Sequence, residues 1–205
     1  MKYFLLFSFW FLPTQLILAQ DSGLLNELLQ ESKADTALLP PKMLLSQRLL
    51  WGEKGLMRST GIAPLNSITR VKELKLRRAM LKSHQVLGFA TLGGMLAQGI
   101  IGTQLYRGNY KNHELHENLA TTINITYSLG AVSSLLAPPP LLSRDKKISS
   151  LRLHKWLAVG HLSGMIATNI LGNMAEDNAK YKSAHRTAAL FTFASFAAAT
   201  VVITF

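Results

Sequence analysis

Histidine is the side chain in this sequence with the clearest capacity for chemistry. Six occur among the 205 residues: His84, His113, His116, His154, His161 and His185. There are no cysteines, which excludes disulfides, thiolate metal sites and cysteine nucleophiles. No phosphate loop, carboxylate pair or Ser-His-Asp arrangement is visible either. Four of the histidines, His84, His116, His154 and His185, open four apolar stretches, at spacings of 32, 38 and 31 residues. Imidazoles placed so regularly point to metal ligation.

A duplication strengthens that reading. Residues 84–102 read HQVLGFATLGGMLAQGIIG, and residues 154–172 read HKWLAVGHLSGMIATNILG. Eight of nineteen positions are identical, including His84/His154, Gly94/Gly164, Met95/Met165 and Gly102/Gly172. At about 100° per residue the repeated Leu, Gly and Met positions fall within about 80° of the histidine on a helical wheel. They should face one interior, where the repeated glycine leaves room for a ring.

The positioning elements are expected to be four membrane-spanning helices, over 84–106, 117–137, 154–174 and 185–205. Each has the ~20 residues needed to cross ~30 Å of hydrocarbon, where helix satisfies the backbone. Short linkers containing Gly108 and Asn109, Pro138–Pro140, and Glu176–Asn178 make neighbours antiparallel. The expected fold is therefore all-α: an integral membrane up-down four-helix bundle with an internal two-helix duplication over 84–205. Residues 1–19 read as a signal peptide or uncleaved anchor, with Lys2, an apolar run, Pro13 and Ala19. Residues 20–83 read as an extramembrane segment. It includes a short helix at Leu24–Gln30 and a basic amphipathic helix capped by Ser67, with Ile68, Val71, Leu74 and Met80 on its apolar side. Such a helix suits a membrane surface.

The net charge is +11, with apolar residues at 48% and charged residues at 16%. The excess gathers in 70–82 and 144–155, beside the apolar stretches. That placement suits lipid head groups or an anionic cofactor, and no nucleic-acid motif accompanies it. Two orientation signals conflict. The basic residues on the 70–83 and 139–155 face argue for the cytoplasm, whereas an export signal puts that face outside. Weight given to the signal places residues 20–83 on the extracytoplasmic side of a bacterial inner membrane.

Alternating helix direction puts His84 and His154 near one membrane face, and His116 and His185 near the other. First with third and second with fourth are the diagonals of a four-helix bundle. A flat macrocycle between two axial imidazoles needs that arrangement, so two haems are expected, one per face. Zinc fits less well, because it wants its ligands converging on one point. His161, whose counterpart in the repeat is Thr91, and His113, placed in the loop, are reserve ligands. Lys82, Arg78, Arg152 and Lys155 flank the first pair, and Arg186 the second. These cations could bind haem propionates, or else anchor lipid head groups.

At these residues the chain resembles the cytochrome b561 family, transmembrane di-haem electron carriers that include ascorbate-dependent ferric reductases. The likeness covers about residues 78–205. Leu153-His154-Lys155-Trp156 looks like the Leu-His-x-Trp opening of the family's third core helix, and Leu115-His116 resembles the opening of its second. The resemblance implies that His84 and His154 hold one haem b, that His116 and His185 hold the other, and that electrons cross one at a time. Members commonly have six helices, whereas four are expected here, and no ascorbate motif is present. Donor and acceptor therefore stay open among quinol, small reductant and redox protein, as does a homodimer. A haem-free membrane scaffold or anchor subunit docking a partner is the rival from another class. A terminal reductase of metal ion or quinone is a third reading.

Overall fold

The computed structural model describes residues 38–141 and 149–204. The expected signal segment, the helix expected at Leu24–Gln30, and Arg144, Lys146 and Lys147 lie outside the described residues. Within them every regular element is helical. Two short helices, α1 (Leu45–Trp51) and α2 (Leu56–Ser59), precede four long ones: α3 (Ser67–Tyr106), α4 (His113–Leu135), α5 (Ser150–Asp177) and α6 (Lys182–Thr204).

Local chemistry explains where these helices start and stop. The cap of α3 is Asn66, not Ser67: the Asn66 side-chain oxygen accepts from Thr69 N at 2.9 Å, and Ser67 is already helical. An amide oxygen one residue earlier satisfies the orphan donor equally well. The helix then runs for 40 residues, about 60 Å, so the surface segment and the expected first span are one rod. It ends at Gly108, whose φ of 88° is left-handed. There Gly108 N donates to Leu105 O and Asn109 N to Gln104 O, which closes the last turn in a Schellman motif. Ser149 caps α5 through Arg152 N. The other expected spans also begin early: α4 starts at His113, so His113 is a helical residue and not a loop residue.

The duplication extends beyond the histidine motif. Both α4 and α6 have 23 residues. Each follows a single 3-10 turn, Tyr110–Asn112 or Ala179–Tyr181. Each turn is started by an asparagine whose side chain accepts from the backbone two residues on, Asn109 from Lys111 N and Asn178 from Lys180 N. Residues 67–135 and 150–204 thus form two related helical hairpins, α3–α4 and α5–α6.

Packing completes a ring. α3 lies along α4, α5 along α6, and α3 also touches α6. α4 meets α5 through Asn124 and Asn169, which exchange side-chain hydrogen bonds of 2.9 and 3.0 Å. The diagonals are therefore α3 with α5 and α4 with α6. The repeated glycines Gly94 and Gly164 serve these contacts. A Cβ on Gly94 would come 2.9 Å from Ile123 Cγ1, and one on Gly164 would collide with Thr192. The expectation that this glycine leaves space for a cofactor ring is corrected, since neighbouring helices already fill it.

The outer surface of this body is largely apolar, and its interior mixes apolar and polar residues, with Ile123, Met165 and Phe196 buried. Thr91 and Thr192 are buried, at 1% and 3% exposure, while Trp156, Leu190, Ile166 and Ile170 exceed 50%. Among the described residues two helices, Ser67–Tyr106 and Ala179–Thr204, are long and apolar enough to cross a membrane.

Residues 38–83 fold over one end of this body. Five consecutive carbonyls at and beyond the end of α4 each receive a donor from this segment. Leu135 O accepts from Ser46 Oγ at 2.7 Å, and Leu136 O accepts from Trp51 Nε1 at 2.9 Å. Ala137 O accepts from Gln47, Pro138 O from Arg77, and Pro139 O from Arg70. A helix C-terminus leaves such acceptors orphaned and favours cations. Glu73 pairs with both Arg58 and Arg70, all nearly inaccessible to solvent. Burial, and the nearby Arg70 charge, lower the Arg77 pKa from its ordinary value. The expected apolar side holds in part: Leu74 is buried and Val71 and Met80 are half-buried, but Ile68 is 74% exposed, and Arg70 and Glu73 share the packed side. The carbonyl row selects charge there over apolar side chains.

Candidate functional site

The histidine pairs are built by the hairpins. His84 lies about five turns into α3, and His154 in the first turns of α5. Their rings meet across the diagonal with centroids 6.2 Å apart and planes at 85°. His116, in the first turn of α4, and His185, in the first turn of α6, meet across the other diagonal at 6.4 Å and 79°. The structure thus brings together His84 with His154 and His116 with His185. His84 sits beside Gly130 of α4, fourteen residues from His116, so the two pairs lie about 21 Å apart along the helix axis.

The nitrogens of three of these rings are already divided by function. His84 Nδ1 bonds Gly130 O, His154 Nδ1 bonds Ala199 O, and His185 Nδ1 bonds Thr168 O, each at 2.9 Å. A carbonyl accepts only, so each Nδ1 carries a proton, and Nε2 is the nitrogen left to face the partner ring's side. That tautomer is the one a metal-ligating histidine adopts, and a second hydrogen bond of this kind fixes the ring and raises its basicity.

The spacing of the rings is informative. A ring nitrogen lies roughly 1.1 Å from the imidazole centre and a metal–nitrogen bond is about 2.0–2.1 Å, so two imidazoles on opposite sides of one ion have centres about 6.3 Å apart. Both observed separations fall at that value. Among the described residues no three His, Cys, Asp or Glu side chains gather into a metal cage. The histidines meet in twos, so any ion between them must bring most of its own ligands. A porphyrin does so, supplying four nitrogens and leaving two axial positions.

Glycines shape the second pair. A Cβ on Gly102 would come 3.0 Å from His116 Cε1, and one on Gly172 would come 3.3 Å from His185 Cε1. The space that a repeated glycine opens for a ring is thus here, at the last repeat position. The ring it admits is the imidazole of the following helix.

The other histidines are engaged differently. His161 Nδ1 and the Tyr127 hydroxyl lie 3.0 Å apart, and the His161 ring is 4.9 Å from Phe196. His113 sits on the exposed start of α4, 3.5 Å from Glu117.

Of the cations expected near an anionic cofactor, Lys82 and Lys155 are exposed beside their histidines, with Lys82 donating to Gln85 at 3.3 Å. Arg152 is exposed on the first turn of α5, and Arg78 is half-buried on α3. The Arg186 guanidinium lies 4.7 Å over the Tyr106 ring, and Lys182 donates to Tyr110 at 2.9 Å.

Sequence reasoning missed the carbonyls of Gly130, Ala199 and Thr168, since backbone acceptors carry no residue signature. It also missed Gln98, which donates to His116 O at 2.9 Å. The signal for it was its place in the repeat, opposite Thr168.

No family model, no curated protein and no solved structure matches this chain.

Proposed function

We propose that this protein is an integral membrane cytochrome of the b561 kind. Its four long helices cross the bilayer, and it passes electrons between two bis-histidine haems b. The observation that carries this reading is the paired imidazoles, 6.2 and 6.4 Å apart, three of them with Nδ1 bound to a backbone carbonyl. When bound there, haem iron supplies the one-electron redox couple.

The rest is the work of this chain. His84 with His154, and His116 with His185, are the pairs that would hold the haems. Gly130, Ala199 and Thr168 set three ring orientations through their carbonyls. Gly102 and Gly172 admit the rings of the second pair. Lys82, Arg78, Arg152 and Lys155 at one end, and Arg186 at the other, offer cations to carboxylates.

The membrane setting is supported by the apolar outer surface. Exposed leucines, isoleucines and valines run along α3 to α6, and threonines, asparagines and histidines line the interior. Helices of 23 residues are about 34 Å long, enough to cross ~30 Å of hydrocarbon. α4 and α5 owe their lower apolarity to inward residues such as Asn124, Thr126 and Asn169, which find partners there. Such pairing is how polar groups are accommodated inside a membrane bundle.

A pyridine haemochrome assay on detergent-purified protein tests the proposal. The expected result is two haems b per chain and a Soret band with sharp reduced α-bands. Colourless protein from haem-replete cells would sink it and favour a haem-free scaffold. Reduction by candidate donors, then oxidation by ferric chelates or quinones, identifies the redox partners.

A further inference from the structure

The four proposed ligands are not equivalent. In the second hairpin, His185 Nδ1 bonds the main-chain oxygen of Thr168. The duplicated position in the first hairpin is Gln98, seventy residues earlier. His116 has no matching bond: its Nδ1 is buried without a partner. The Gln98 side-chain oxygen is also buried without a partner. The same carboxamide is held beside His116, since its nitrogen donates to His116 O at 2.9 Å. That bond also fixes which end of the amide is oxygen, because a carbonyl can receive only from the NH2 group. A donor and an acceptor, each buried and unmatched, therefore lie on two residues already in contact. Leaving both unsatisfied is costly, and one bridging water or a small turn of the amide satisfies both.

We propose that Gln98 is the positioning residue of the His116 imidazole, its carboxamide oxygen accepting a hydrogen bond from Nδ1–H directly or through one water. This rests on the haem reading above. It makes His116 the one ligand of the four whose basicity is set by a replaceable side chain. A stronger acceptor on Nδ1–H makes the imidazole a better donor to ferric iron and lowers the midpoint potential of that centre. Loss of the acceptor raises it.

The test is redox potentiometry on haem-loaded protein carrying Gln98→Leu and Gln98→Glu, each also placed in a His154→Ala background that keeps only the His116/His185 centre. The leucine variant is expected to shift one midpoint upward, the glutamate variant to shift the same midpoint downward, and the other centre to stay unmoved. A merely structural role would not give opposite signs. Potentials unchanged in both variants overturn the proposal, as do shifts of the same sign or shifts confined to the His84/His154 centre. Wild-type protein without haem overturns the cytochrome reading and this inference with it. Wild-type protein with two haems and unmoved potentials overturns this inference alone.

Discussion

The two ends of the helical body share one pairing of imidazoles and differ in what surrounds it. At the His84/His154 end both rings are tied to backbone carbonyls, and residues 38–83 fold over the neighbouring end of α4. At the His116/His185 end only His185 is tied in that way. The rings lean on Gly102 and Gly172, and the links are short 3-10 turns. The hairpin repeat therefore sets where the imidazoles meet, and the residues that surround them differ between the two copies. Ring separation is nearly the same at the two ends because the helix diagonals set it. The hydrogen bonds behind the rings differ because single residues set them.

The largest effect expected from breaking this comparison is loss of a whole centre. His154→Ala should halve the haem content measured by pyridine haemochrome, leaving the His116/His185 centre intact. His161→Ala should keep both, because His161 faces Tyr127 and not another imidazole. The reverse result would reassign the ligands. Gly102→Val should selectively weaken the opposite centre, since its Cβ would press on His116 at 3.0 Å. Overpacking of this kind costs about 1–3 kcal/mol, and titration of apoprotein with hemin should show one of two binding steps weakened.

The covered end should fail differently. Glu73→Gln leaves Arg58 and Arg70 buried without their carboxylate. Breaking a buried pair from one side costs about 3–5 kcal/mol. Faster proteolysis between residues 38 and 66 is expected, with the haem spectrum unchanged. A spectrum that moves with it would mean that the cover reaches the His84/His154 centre. The smallest effect is that of Asn66→Ala, which removes the α3 cap and should cost about 1 kcal/mol, read as a lower midpoint in thermal unfolding followed by circular dichroism.

Much of the helical framework was legible in the chain. Prolines, glycines and asparagines punctuate it where the long helices end, and apolar runs mark their length. The matched histidines were visible because a repeat in sequence becomes a repeat in space when both copies are helices of equal length. Helix starts were placed late at His113 and Ser150, because polar first turns carry no apolar signal. The surface helix was read in part: apolar periodicity found Leu74 on its buried side but would have sent the charged residues beside it to solvent. Instead a row of carbonyls beyond α4 drew in Arg70 and Arg77.

What the amino-acid order determined by itself is which residues share a helix and at what depth. A rise of about 1.5 Å per residue converts spacing into position along the axis. It thus determined the four histidine depths and their pairing by end. What only the tertiary structure decided is the lateral arrangement: which helices lie diagonally, how far apart the rings stand, and which acceptor each Nδ1 finds. Those depend on close packing at Gly94 and Gly164 and on backbone carbonyls that any residue type could have supplied. Contacts made by the main chain leave no trace in residue identity, and so they become visible only once the helices are in place.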